Sequence, residues 1–233
     1  MTGKTLESLE NLKKAIINSL IYISVFSLIF YFFSGIFFRI LQKPIGIPLV
    51  YYNLADGFFT YIRVALYCGL FFSMPLIFFE LWKIFAPFIF PNYKDYSVRF
   101  VVVASIFFFG GALICYFILL PSGINFLLAY QTEQIKPVIS VTAYLSLVII
   151  FLLGFGLIFE LPLIMFILGR AGLVTGKFLN KNRRFAVLII AILSAVITPT
   201  PDVYNMMLMM LPLWGLYEIS VIVVYLFGKK PLE

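Results

Sequence analysis

The sequence contains no histidine. The most common general base and metal ligand is therefore missing, and no Ser-His-Asp triad can be assembled. Cysteine is nearly absent too. Cys68 and Cys115 each sit inside an apolar stretch, which argues against a disulfide framework or thiolate metal site and leaves two small hydrophobes. Charged residues make up only 12% of the chain. No HExxH helix, Walker loop, dinucleotide-binding glycine fingerprint or CxxC pair occurs. The expectation is a non-enzyme with no cofactor and no metal.

The rest is hydrocarbon. Of 233 residues, 63% are hydrophobic, and the mean hydropathy is +1.09, far outside the soluble range. Residues 15–38 run for 24 positions without a charge, and 100–132, 137–159, 185–201 and 203–217 are also charge-free. Crossing a bilayer core of about 30 Å takes about 20 apolar residues of helix. The pattern predicts an all-α polytopic membrane protein, one membrane domain over 1–233, with six spans at about 15–38, 60–85, 98–121, 141–169, 185–198 and 204–227. The long runs lack the alternation of a barrel. The first run is too long for the apolar core of a secretory signal and lacks an A-x-A site, so it reads as a retained span.

The net charge of +7 is distributed by topology rather than gathered for nucleic acid. Thirteen Lys and Arg fall at the N-terminus, the span 2–3 loop, the span 4–5 loop and the C-terminus; Arg39, Lys43, Arg63 and Lys136 fall on the other side. The asymmetry places both termini in the cytoplasm. Span 5 is short: fourteen helical residues reach about 21 Å. With the TPTPD turn at 198–202 it forms a shallow hairpin with span 6, entered from the cytoplasm. Pro75, Pro162 and Pro212 interrupt the even-numbered spans, and Pro121 closes span 3. Bent helices at these prolines suggest a concave wall.

Few carboxylates stand in this apolar background. Glu160, in GFGLIFELPL, is the sharpest, since a charge at mid-bilayer costs roughly 2.5–3.5 kcal/mol. Such a residue faces a polar cavity or partner, pairs with a cation, or sits protonated. Glu218, in LYEISVI, and Glu80, in FFELWKIF, lie near cytoplasmic ends of spans, and Lys83 is placed to pair with Glu80 at i+3. Asp202 is positioned to cap span 6. Glu7 and Glu10 sit on a short amphipathic run, LESLENLKKAI, ahead of span 1. These residues alone define a transporter, channel or receptor scaffold. A proton-coupled solute transporter built on Glu160 is the alternative reading, but the sequence shows no inverted repeat and no second buried cation. An intramembrane protease would need a catalytic pair the sequence does not offer.

Taken in order, the fragments are more specific than any one of them. PLIFFELWKIFAPF at 75–88 includes Pro75, Trp82 and Pro87. Phe117, Pro121 and Phe126-Leu127 close span 3. AYLS at 143–146 precedes FGLIFELP at 155–162, and TPTPD, Pro212 and Tyr217-Glu218 follow. Together they resemble the TatC family, the multispanning subunits of the twin-arginine protein translocase, over nearly the whole chain. The resemblance implies a cup of six kinked helices in the cytoplasmic membrane of a prokaryote. It implies a receptor that binds twin-arginine signal peptides, recruits TatA-like and TatB-like single-span partners into an oligomeric complex, and exports folded cargo using the proton-motive force. Pro75, Pro87, Pro121, Pro162, Asp202 and Pro212 are then structural or partner-facing.

Two guanidinium groups call for carboxylates at the cytoplasmic surface. The resembled family supplies one from an N-terminal His-Leu-x-Glu-Leu-Arg motif and one from the loop after Pro87. Here Asn11 and Tyr93 stand at those two positions. Glu10 is one residue earlier, turned ~100° around the helix, and Asp95 is two residues later. The carboxylate set is either relocated to Glu7, Glu10, Glu80 and Asp95, or weakened.

Overall fold

The structure, a computed structural model, describes residues 2–89, 93–129, 138–198 and 202–228, with the side chains of 2–9, 88 and 93–95 left aside. It is helical throughout, with no strand among the described residues. The helices are α1 (Thr2–Gln42), α2 (Asp56–Ile89), α3 (Tyr93–Ile114), α4 (Leu120–Leu128), α5 (Val141–Ile158), α6 (Leu161–Ala171), α7 (Gly176–Lys181), α8 (Arg183–Ile197) and α9 (Val203–Phe227). Helices dominate because a backbone in hydrocarbon must satisfy its own polar groups. Five described segments are long and apolar enough to cross a membrane: Glu10–Ile45, Asp56–Pro87, Tyr96–Leu128, Val141–Ala171 and Val203–Phe227. The sixth expected span is α8, with only 15 residues.

Three boundaries differ from the sequence expectation. The amphipathic run carrying Glu7 and Glu10, ahead of the expected span, is the first part of α1 and continuous with it. Pro121 does not close the third span. A π turn over Cys115–Leu119 precedes it, with the Leu120 N–H donating to the Cys115 carbonyl, and helix continues to Leu128. The widened turn makes room for a proline that lacks a donor and crowds the carbonyl four residues back. The fourth span is two helices, parted at Phe159-Glu160, with Pro162 in the first turn of the second. Pro75, Pro87 and Pro212, by contrast, lie inside continuous helices.

The chain divides into two compact units, Met1–Ile106 with Val138–Ile150, and Phe107–Pro137 with Phe151–Glu233. In the first, α1 and α2 form an antiparallel pair. Ser27 meets Gly69 so closely that a Cβ on Gly69 would lie 2.6 Å from the Ser27 backbone nitrogen. Phe30 stacks on Phe72 at 4.6 Å, and Phe38 lies 6.1 Å from Tyr61. Beyond this pair, Val50 bridges to Ser140: its N–H donates to the Ile139 carbonyl and its carbonyl accepts from Val141. The buried Tyr144 hydroxyl donates to the Leu41 carbonyl at 2.8 Å. The loops after α1 and before α5 therefore lie at the same end of this unit.

In the second unit, Gly111 sits against Phe155 and Phe159, and Gly156 against the Phe108 ring. Small residues let membrane helices approach where no hydrophobic effect drives them together. α4 is tied to α9 by Ser122, whose hydroxyl donates to the buried Asn205 at 2.6 Å. α6 and α7 pack on the far end of α9 through Leu179, Val221 and Val224, with Met165, Val174 and Tyr217 around them. Gly172, at φ 80°, lets the chain turn out of α6 in the left-handed conformation.

Candidate functional site

The first unit holds a carboxylate in the seam between its long helices. Glu80 is 4% exposed. Its Oε1 accepts from Asn18 Nδ2 at 3.3 Å, from the Tyr22 hydroxyl at 3.1 Å and from Lys83 Nζ at 3.1 Å. A buried charge persists only when paired and hydrogen-bonded, and here α1 supplies two donors and α2 the cation. Lys83 is half-exposed and also lies 4.1 Å over the Phe79 ring. The ion pair at i+3 is present, then, but is one part of a larger set.

The pairings of Asn18 and Tyr22 with Glu80, Ser27 with Gly69 and Phe30 with Phe72 fix the antiparallel register of α1 and α2. Carried one further stretch, that register sets Glu10 level with the last turn of α2, near Ile89. Glu10 and Asn11 are both exposed there. The same end receives the start of α3. Buried Trp82 donates from Nε1 to Ser97 at 3.0 Å and stacks on Phe100 at 4.0 Å. Glu10 and the first turn of α3 thus lie toward the same end of this unit, with Glu80 about 12 Å deeper along the α1–α2 seam at 1.5 Å per helical residue. The side chains of Glu7, Tyr93 and Asp95 lie outside the described residues, as do residues 90–92 of the loop.

The second unit places its acids differently. Glu160 lies in the two-residue break between α5 and α6, 5% exposed, and its Oε1 has no hydrogen-bond partner. Its backbone is fully used: the carbonyl accepts from Leu163 and Ile164, and the N–H donates to Leu157. The break follows from Pro162, which cannot continue the ladder of α5. Glu218 forms an ion pair with Arg183 at 2.8 Å, linking α9 to the start of α8. Asp202 accepts from the Asn205 N–H at 2.8 Å and from its side chain at 3.0 Å, capping α9. Ser194 is fully buried with an unpartnered hydroxyl. Residues 199–201 of the TPTPD turn lie outside the described residues.

Sequence reasoning missed Asn18, Tyr22 and Ser97. Asn18 carried a signal, since it is the one amide in the charge-free run 15–38. Tyr22 and Ser97 carried none, because tyrosine and serine are ordinary in membrane helices. Their pairing is set by helix register across the chain.

The structure thus defines a polytopic α-helical membrane protein with a bonded carboxylate in its first unit and an unpaired one at a helix break in its second. The comparisons are specific. The family model described as Sec-independent protein translocase protein (TatC) matches residues 7–212. The TatC protein of Carboxydothermus hydrogenoformans is 35% identical over 96% of this chain and 93% of its own length. That of Desulforapulum autotrophicum is 36% identical over 96% and 85%. Two crystal structures of the twin-arginine translocase receptor TatC superpose with TM-scores of 0.77 and 0.79 at 30% identity. They cover 93% and 96% of this chain and 97% and 100% of theirs. The chain belongs to the TatC family. It is a multi-pass protein of a prokaryotic cell membrane and a component of Sec-independent protein translocation. The solute-transporter reading yields to this assignment.

Proposed function

We propose that this protein is the receptor subunit of a twin-arginine translocase, with both termini in the cytoplasm. It binds twin-arginine signal peptides, recruits TatA-like and TatB-like single-span partners into an oligomeric complex, and exports folded cargo driven by the proton-motive force. What supports this reading is the register of α1, α2 and α3, which sets exposed Glu10 and the first turn of α3 toward one end of the first unit, with the bonded Glu80 deeper in the same seam. Glu10 and Asp95 receive the two guanidinium groups, with Glu7 beside them, in place of the carboxylates that Asn11 and Tyr93 do not supply. Glu80 contributes from beneath. Its lysine partner makes a single-point contact, which a guanidinium fork can replace with two parallel bonds.

The test is signal-peptide binding to the full chain in nanodiscs. Glu10→Gln with Asp95→Asn should weaken binding by more than either change alone, and a lysine pair in place of the two arginines should bind less well to the unaltered chain. Unchanged binding in the double variant removes Glu10 and Asp95 from the site. On the partner side, co-purification should bring down small single-span proteins, with the proline-bearing helices and the unpaired Glu160 at or near the partner-facing surface.

A further inference from the structure

We infer that the cleft between α7 and α9 holds the headgroup of an anionic phospholipid. The cleft has a volume of about 260 Å³. Lys177, Asn180 and Arg183 line one wall; Ile222, Tyr225 and Leu226 of α9 line the other.

The polar wall is cationic and only partly neutralised. Arg183 is held by Glu218 at 2.8 Å, which orients its guanidinium while leaving further N–H donors free for a second acceptor. Lys177 is exposed, and no carboxylate among the described residues lies within ion-pair distance of it. Residues 170–184 carry Arg170, Lys177, Lys181, Arg183 and Arg184, and no acid occurs from 161 to 201. An ammonium and a guanidinium beside an amide donor make a site for a phosphodiester oxygen pair.

The opposite wall selects the source of that phosphate. Ile222, Tyr225 and Leu226 are all exposed and belong to a membrane-spanning helix, so acyl chains run along them. A phospholipid satisfies both walls at once, and a free anion satisfies one. Clusters of Lys and Arg set just outside the end of a spanning helix are suited to anionic headgroups.

Native mass spectrometry of the full chain, released from micelles doped with phosphatidylglycerol or phosphatidylcholine, tests the inference. The unaltered chain should retain phosphatidylglycerol about fivefold more than phosphatidylcholine. Lys177→Gln with Asn180→Leu should bring the two lipids to parity, while Arg39→Gln, in the cleft that Arg39 and Lys43 line at the end of α1, should leave the preference intact. If the double variant fails to fold, Lys177→Gln alone, at an exposed side chain, gives the reading. Equal retention of the two lipids by the unaltered chain, or an undiminished preference in the variants, overturns the site. Displacement of the lipid by millimolar inorganic phosphate overturns the lipid assignment in favour of a free-anion site.

Discussion

Glu80 and Glu160 are both acids buried in membrane-spanning segments, 4% and 5% exposed, yet they are handled in opposite ways. Glu80 sits in an unbroken helix and collects three donors on one oxygen, two of them from the neighbouring helix. Glu160 sits at a helix break and leaves Oε1 with none. The first arrangement spends its polarity on joining two helices. The second keeps a polar group unmatched where most buried polar groups find a partner. A bonded acid reads as architecture that a ligand can borrow; an unbonded one reads as a site awaiting its other half.

The largest expected effect comes from removing the bonded acid. Glu80→Leu strands Asn18 and Tyr22 in the α1–α2 seam, and hydrogen bonds to a charged group contribute about 1.5–3 kcal/mol each. Thermal unfolding in detergent should show a clear loss for Glu80→Leu and a smaller one for Glu80→Gln, which can still accept. If Glu80→Leu is as stable as the unaltered chain, the contrast between the two acids collapses.

Glu160 should behave in the reverse manner. Glu160→Leu removes an unpartnered buried carboxyl, so stability should hold or rise. Export should fall by about tenfold, equivalent to about 1.4 kcal/mol, in both Glu160→Leu and Glu160→Gln, with signal-peptide binding retained. Normal export in Glu160→Gln combined with failed assembly in Glu160→Leu makes this residue a packing group, and the comparison loses its functional half.

The smallest effect should come from the third acid. Glu218 is partly exposed and paired with a half-exposed Arg183. Exposed pairs contribute about 0–1 kcal/mol. Glu218→Gln should therefore change the unfolding midpoint little, and less at high salt than at low. A loss as large as that of Glu80→Leu would show that exposure does not separate these acids.

Much of this was legible in the residues. Long apolar, charge-poor stretches marked where the helices would be, because hydrocarbon thickness imposes a length. The isolation of Glu160 in an apolar stretch was plain from the sequence, because cost there is local. Partnerships were not legible. Glu80 finds Asn18 and Tyr22 at a separation of about sixty residues, a matter of how two helices slide past each other. Prolines misled in both directions. Pro121 suggested an end where the chain absorbs it in a π turn, and Pro162 suggested a bend where the helix breaks. Periodicity reports which residues are apolar, but not whether a backbone yields by widening or by parting.

The π turn at Cys115–Leu119 has one more consequence. A π turn houses an additional residue without lengthening the helix by a full step, so everything beyond it is rephased by ~100° about the axis relative to an uninterrupted α-helix. Ser122 reaches Asn205 in that shifted phase. The turn therefore acts as a one-residue gear between the two halves of a single span. Deleting a residue within it would leave the span's hydropathy intact while rotating Ser122 away from α9, so that a chain still able to insert would lose the join between α4 and α9.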